Sequence, residues 1–327
     1  MPRQPRLDIP GALHHIMIRG INRAPLFYDD RDRMRFLEKL DEYINAGACA
    51  VYAFALMDNH VHILFRSGER GISSVMRKLL TWYAQYFNRR HGRTGHLFEN
   101  RYKSILCEEE SYFLELIRYI HLNPVRADIV KSMKSLAQYP WTGHGAIMGS
   151  VRRDWMDVNY VLRQFGRARK PARAAYQSFV SQGFAMGQRP DLVGGVLIRS
   201  LGGWSQVISM QRKDGKVQSD ERILGGSSFV QSILKEAEDR QKRQLKIRLS
   251  GRTITHIIHE ECTKRGVTRT ELEHGGRRHK VSQTRTAIAY RSATELGLSA
   301  ADIARHLGVN TSCISRAIER AEKEGIN

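Results

Sequence analysis

Hydrophobic and polar positions alternate over residues 12–19 (ALHHIMIR) and the run ends at Gly20, which predicts a strand. Residues 30–46 change period. Met34, Leu37, Leu40 and Ile44 recur at helical spacing, with Asp29 or Asp30 as the N-cap and Gly47 as the stop. Residues 48–57 (ACAVYAFALM) form a buried-strand run, and residues 60–66 (HVHILFR) form a second one after the turn-prone Asp58-Asn59. A long helix follows over 72–91, carrying Val75, Leu79, Tyr83 and Phe87, then a short strand over 102–107 and a helix over 109–123 that Pro124 ends. The order strand, helix, strand, strand, helix, strand, helix is a split βαβ, ferredoxin-like plan of the α+β class. Beyond it the patterns are helical, near 173–185 and over 225–250, 253–265, 282–296 and 299–324. They predict an α+β domain over 1–145, a linker and helical connecting region over 146–225, and an all-α domain over 226–327 that ends in a helix-turn-helix at about 299–320.

The helix-turn-helix rests on residue detail. Ser299 caps the first helix with Asp302 three residues on, in a box-like position. Ala304 is small where two helices cross, Gly308 permits the turn, and Thr311 can cap the second helix. Ile303, Leu307, Val309, Ile314 and Ile318 supply a shared core. Thr311, Ser312, Ser315 and Arg316 then face outward, where a recognition helix reads the major groove. An αα-hairpin without a DNA role is the alternative.

Charge strengthens the nucleic-acid reading. The chain holds 53 Lys plus Arg against 33 Asp plus Glu, a net +20, and such an excess calls for a polyanionic partner. Residues 1–150 are net +6 and residues 151–327 net +14. The four cysteines are scattered without a CxxC pair, which argues against a zinc ribbon or a disulfide framework. The N-terminal residues lack the apolar core of a signal peptide, and no stretch approaches a membrane span. The expectation is a reduced, cytoplasmic, nucleoid-associated protein.

The chemistry gathers in two segments. His60 and His62 are two residues apart in a strand, so both imidazoles project from one face, ~7 Å apart, near enough to share a metal ion. Val61, Ile63 and Phe65 take the other face, giving a buried face and a polar one. Tyr119 and Asn123 lie one helical turn apart, offering a phenol nucleophile beside an amide oxygen as third ligand. Two imidazoles and an amide oxygen suit a hard divalent ion, Mn²⁺ or Mg²⁺. Tyr102 and Tyr112 are rival nucleophiles. Arg19, Arg23, Arg66, Arg101 and Lys103 lie near strand ends, where they could hold phosphates. His256 and His259 share a helix but lack the rest of a metal motif.

These segments resemble a known family. MDNHVHIL resembles the His-hydrophobic-His strand of single-tyrosine HUH transposases, and RYIHLNPVRA resembles the catalytic-tyrosine helix of the REP-associated tyrosine transposases. His15 to Gly20, Gly95 to Phe98 and Arg101 to Lys103 match as well, so the resemblance spans about residues 7–145. It implies a ferredoxin-like nuclease that cuts and rejoins single-stranded or hairpin DNA through a 5′-phosphotyrosine, with His60 and His62 as metal ligands and Tyr119 as nucleophile. Asn123 stands where the broader family often has Gln. With Lys280 and Arg285 ahead of the helix-turn-helix, residues 280–318 resemble the C-terminal DNA-binding domain of bacterial replication initiators, which implies duplex-DNA binding. The expected protein is a monomer or homodimer that nicks and transfers strands. A non-catalytic DNA-binding regulator and a relaxase-type initiator are the alternatives.

Overall fold

The computed structural model describes residues 7–68, 71–184, 186–187, 189, 192, 220–249, 253–273 and 278–324. Its chain divides into two compact units, Met1–Ile233 and Leu234–Asn327. The elements of the first are β1 (Leu13–Arg19), α1 (Asp30–Ala46), β2 (Ala50–Leu56), β3 (His60–Arg66), α2 (Ser73–Arg90), β4 (Lys103–Cys107) and α3 (Glu109–His121). They continue with α4 (Asn123–Arg126), α5 (Met133–Gln138), α6 (His144–Met148), α7 (Val158–Arg163), α8 (Arg169–Gln182) and β5 (Ile223–Leu224).

The sheet order is β2-β3-β1-β4-β5. The first four strands pair antiparallel, as the split βαβ plan requires. The short β5 adds a parallel edge beside β4, an element the sequence pattern did not predict. Asp29 caps α1 by accepting from the Asp32 backbone, and Gly47 closes it. Met34, read into the apolar stripe of α1, is instead 49% exposed, and Phe36 occupies the core.

Both faces of the sheet are covered. On one, Ile16, Ile18, Val61, Ile63 and Phe65 pack with Leu37, Leu40, Leu79, Tyr83 and Phe87 of α1 and α2. On the other, Leu13, Leu64 and Ile105 pack with Leu116, Ile117 and Ile120 of α3. The histidine face predicted as polar therefore faces a second helical layer rather than solvent, and His62 is buried. Val161, Leu162, Tyr176 and Val180 of α7 and α8 join that layer, so part of the expected connecting region belongs to the core of the first unit. Tyr176 is wholly buried, its hydroxyl 2.8 Å from Nδ1 of both His121 and His144.

The second unit comprises most of α9 (Ser227–Leu249), with α10 (Ile254–Arg265), α11 (Arg269–Glu273), α12 (His279–Glu295), α13 (Ala300–Leu307) and α14 (Thr311–Glu324). Its core joins Ile257, Ile258, Leu272, Val281 and Ile288 to Ile303, Leu307 and Ile314. The expected capping box is present: Ser299 Oγ accepts from the Asp302 backbone, and the Asp302 carboxylate reaches back to the Ser299 amide. Gly308 takes the left-handed conformation (φ 62°) that turns the chain between α13 and α14. Asn310, rather than Thr311, caps α14; its Oδ1 accepts from the Cys313 amide at 2.8 Å.

Candidate active site

A cavity of about 670 Å³ opens on the α3 side of the sheet. His60 and His62 of β3, Met17 and Arg19 of β1, and Lys103 of β4 line it from the sheet. Tyr119 lines it from α3, followed by Asn123 and Arg126 of α4. Strand register explains the sheet's share. Arg19 stands opposite His60 and Met17 opposite His62, so alternate residues of both strands share this face. Helix α3 ends at His121, two residues short of the predicted end, because Pro124 sits in the first turn of α4. Tyr119 and Asn123 still reach the same cavity across that break.

The imidazoles are held neutral. Burial, then the neighbouring Arg19, lowers the His60 pKa to about 4. Burial, followed by His15, His60, Arg19 and Arg126, holds His62 well below its ordinary value. Neutral rings keep a nitrogen lone pair, which a metal ligand needs. His60 Nδ1 lies 2.7 Å from Asn59 Oδ1, an acceptor, so the proton sits on Nδ1 and the lone pair on Nε2. His62 Nδ1 lies 2.9 Å from His15 Nε2, and the two rings stack with centroids 5.1 Å apart. When His62 donates to His15, its own Nε2 also carries a lone pair. The His60 and His62 centroids are 5.2 Å apart.

The tyrosine is held by its neighbours. Its ring stands edge-on to His15 at 6.0 Å and to His62 at 5.8 Å. The Arg126 guanidinium lies 4.9 Å from the ring centroid, and its Nη1 donates to the Tyr119 carbonyl at 2.8 Å. Burial lowers the Arg126 pKa. Asn123 donates its amide nitrogen to the carbonyls of Tyr119 and Ile120, which leaves its oxygen as the atom to meet a ligand. Two neutral imidazoles and this oxygen fit a hard divalent ion in donor type. Among the described residues, no three His, Cys, Asp or Glu side chains form a metal-holding group; the expected set has only two such side chains and an amide.

The rival tyrosines are placed differently. Tyr102 also lines this cavity, but it is 6% exposed and its hydroxyl lies 3.3 Å from Ser73 Oγ on α2. Tyr112 is not among the residues lining the cavity. Of the predicted phosphate-holding cations, Arg19 and Lys103 line the cavity, whereas Arg101 lines a neighbouring one. Arg23 is exposed and outside both linings. Arg66 is a correction. It closes the opposite end of β3 from His60, where Nε donates to Tyr52 Oη at 2.8 Å and the guanidinium pairs with Glu109. Sequence reasoning assigned no site role to His15, Asn59, Arg126 and Arg189, although His15, Asn59 and Arg126 fall inside the quoted motifs.

In the second unit, Thr311, Ser312 and Arg316 of α14 are exposed and Ser315 is half-buried, so the expected reading face is presented. Lys280 is exposed at the start of α12. Arg285 is a correction: it is 7% exposed, and its Nη2 donates to the Leu272 carbonyl at 3.0 Å. That carbonyl lies at the end of the short α11 and needs a donor, so Arg285 serves the interior. His256 and His259 are both exposed, and His256 Nδ1 accepts from the Thr253 amide at the start of α10.

Comparison with known proteins bears on both units. Residues 10–123 match the family model described as "Transposase IS200 like", and residues 279–327 match a "Homeodomain-like domain". No curated protein matches the chain. One solved structure, described as a REP-associated tyrosine transposase bound to a REP hairpin, aligns at 15% identity with a TM-score of 0.39, covering 48% of this chain and 90% of that one. The family matches thus liken residues 10–123 to an IS200-like transposase domain and residues 279–327 to a homeodomain-like domain.

Proposed function

We propose that the protein is a metal-dependent endonuclease and strand transferase acting on single-stranded or hairpin DNA, with Tyr119 as nucleophile. One observation carries the reading: the Tyr119 phenol, two neutral imidazoles and the Asn123 amide line one cavity edged by Arg19, Lys103, Arg126 and Arg189. His60, His62 and Asn123 would hold Mg²⁺ or Mn²⁺. When bound, the ion supplies Lewis-acid polarisation of the scissile phosphate. Tyr119 Oη attacks phosphorus, the bond to O3′ breaks, and the phenolic proton is balanced by the proton gained by the 3′ hydroxyl. The product is a 5′-phosphotyrosine and a free 3′-OH. Attack by a 3′-OH reverses the step, so rejoining needs no nucleotide cofactor. Arg126 contributes positive charge beside the phenol and the incoming phosphate. His15 holds the His62 ring in orientation. The exposed face of α14 would bring the enzyme to duplex DNA.

The test uses end-labelled single-stranded hairpin DNA, Mn²⁺ and a denaturing gel. Wild type should form a covalent protein–DNA adduct. Chelation and His60→Ala should each reduce it by at least about 100-fold, in the range that one electrostatic stabiliser contributes to a rate. Asn123→Ala should be milder, because water can replace an amide oxygen. An undiminished adduct under chelation would overturn the metal assignment.

A further inference from the structure

A second cavity of about 640 Å³ adjoins the first and shares Asn100 and Tyr102 with it. It lies between α2 and the 95–102 segment, outside the groups used in cleavage. Its apolar surface comes from Leu80, Ala84, Leu97 and Phe98. Leu97 is buried, and the Phe98 ring packs on Tyr83 with centroids 6.5 Å apart, so this surface is fixed to the core. Its polar side carries the hydroxyls of Ser73, Ser74 and Thr81 and two exposed arginines, Arg77 and Arg101. Neither arginine forms an ion pair among the described residues, whereas Arg33, Arg35, Arg66, Arg90 and Arg118 all do.

We propose that this cavity holds one nucleotide of the single strand that runs through the cleavage site. The inference rests on the nuclease reading and adds a subsite to it. An apolar and aromatic surface suits the face of a base, which stacks without regard to sequence. Unpaired guanidinium groups at the mouth suit the adjoining phosphates, which they can grip through two N–H donors. The shared Asn100–Tyr102 wall makes the two cavities neighbours, so a strand whose scissile phosphate meets Tyr119 can place a nearby base here. A neutral small molecule would leave both arginines without a counter-charge. A duplex keeps its bases stacked and could not enter without extruding one.

The test uses the full chain carrying Tyr119→Phe, so that binding is read without cleavage. Two fluorescent probes are compared by anisotropy: an oligothymidylate and an abasic deoxyribose-phosphate oligomer of equal length and charge. Thr81→Trp, which fills the cavity from the exposed face of α2, should weaken oligothymidylate binding by on the order of 5- to 150-fold, the equivalent of one stacked base. Binding of the abasic oligomer should stay unchanged. Arg77→Ala should weaken both probes equally and reduce the salt slope by about 0.7, the contribution of one single-strand phosphate contact. Should either variant misfold, thermal melting identifies it and the other carries the test. If folded variants bind both probes as the parent does, the subsite is refuted while the nuclease reading stands. If the parent binds neither probe, the nuclease reading fails with it.

Discussion

The two units treat polar groups in opposite ways. In the first, His14, His15, His62, His121 and His144 are all buried, several of them beneath the helix that carries Tyr119. In the second, His256, His259, His279 and His306 are exposed, and the buried carboxylate is a paired one. Glu261, 3% exposed, is met by Arg265 and Arg291, and Arg291 also grips Glu260 and Glu295. The difference fits the two tasks proposed above. Metal ligation needs imidazoles desolvated and neutral. Reading a duplex needs polar side chains held outward by a rigid helical frame. Net charge separates the units less than the halves of the sequence suggest: the first holds 34 basic and 21 acidic residues, the second 19 and 12. On the proposed function, placement of the cations, rather than their number, divides the work.

The largest expected effect comes from cutting the units apart. A fragment ending at Ile233 should still nick a single strand but lose on the order of 100-fold or more in duplex affinity at physiological salt, since it lacks the helix-turn-helix. Anisotropy with duplex and single-stranded probes at two salt concentrations measures both. Equal duplex affinity for fragment and full chain would withdraw α14 as the reader.

A smaller effect separates the units by pH. Burial lowers the pKa of His14 and of His144 to about 4 from the ordinary 6.5. Both are neutral when folded and take up a proton near pH 6.5 when unfolded. Their contribution is complete above pH 6.5 and is lost as pH falls toward 4. At pH 5 each should cost the first unit about 2 kcal/mol. The second unit should hardly change there, since Glu261, held below the ordinary carboxylate value by Arg291 and Arg265 despite burial, stays ionised. The described tryptophans Trp82, Trp141 and Trp155 fall within the first unit, and the sequence 234–327 contains no tryptophan. The urea transition seen by tryptophan fluorescence should therefore move to lower urea between pH 7 and pH 5. The transition confined to the second unit's helices, seen by circular dichroism, should stay. Parallel shifts would mean that the buried histidines do not distinguish the units.

What the sequence made legible was local. Period two placed His60 and His62 on one face, and capping residues with Gly308 located the helix-turn-helix, because both signals repeat within a few residues. Contacts across the sheet were not legible. That His15 meets His62 depends on β1 lying beside β3 in a particular register, which no single strand encodes. Cations misled for the same reason. A sequence marks Arg66 and Arg285 as charged, but Glu109 and the Leu272 carbonyl, which engage them, are distant in sequence. The weakly patterned region after residue 145 gave little sign that Tyr176 would hydrogen-bond two buried histidines behind the Tyr119 helix.

The central claim is that chemistry belongs to one tyrosine in the first unit. Mass spectrometry of the trapped adduct, after digestion of both protein and DNA, locates the nucleotide on a peptide. The account predicts that the nucleotide rides on the peptide containing Tyr119, and that Tyr119→Phe yields no modified peptide while the Trp-monitored unfolding of the first unit is unchanged. A nucleotide on the peptide containing Tyr102 or Tyr112, or an adduct that survives Tyr119→Phe, would contradict it.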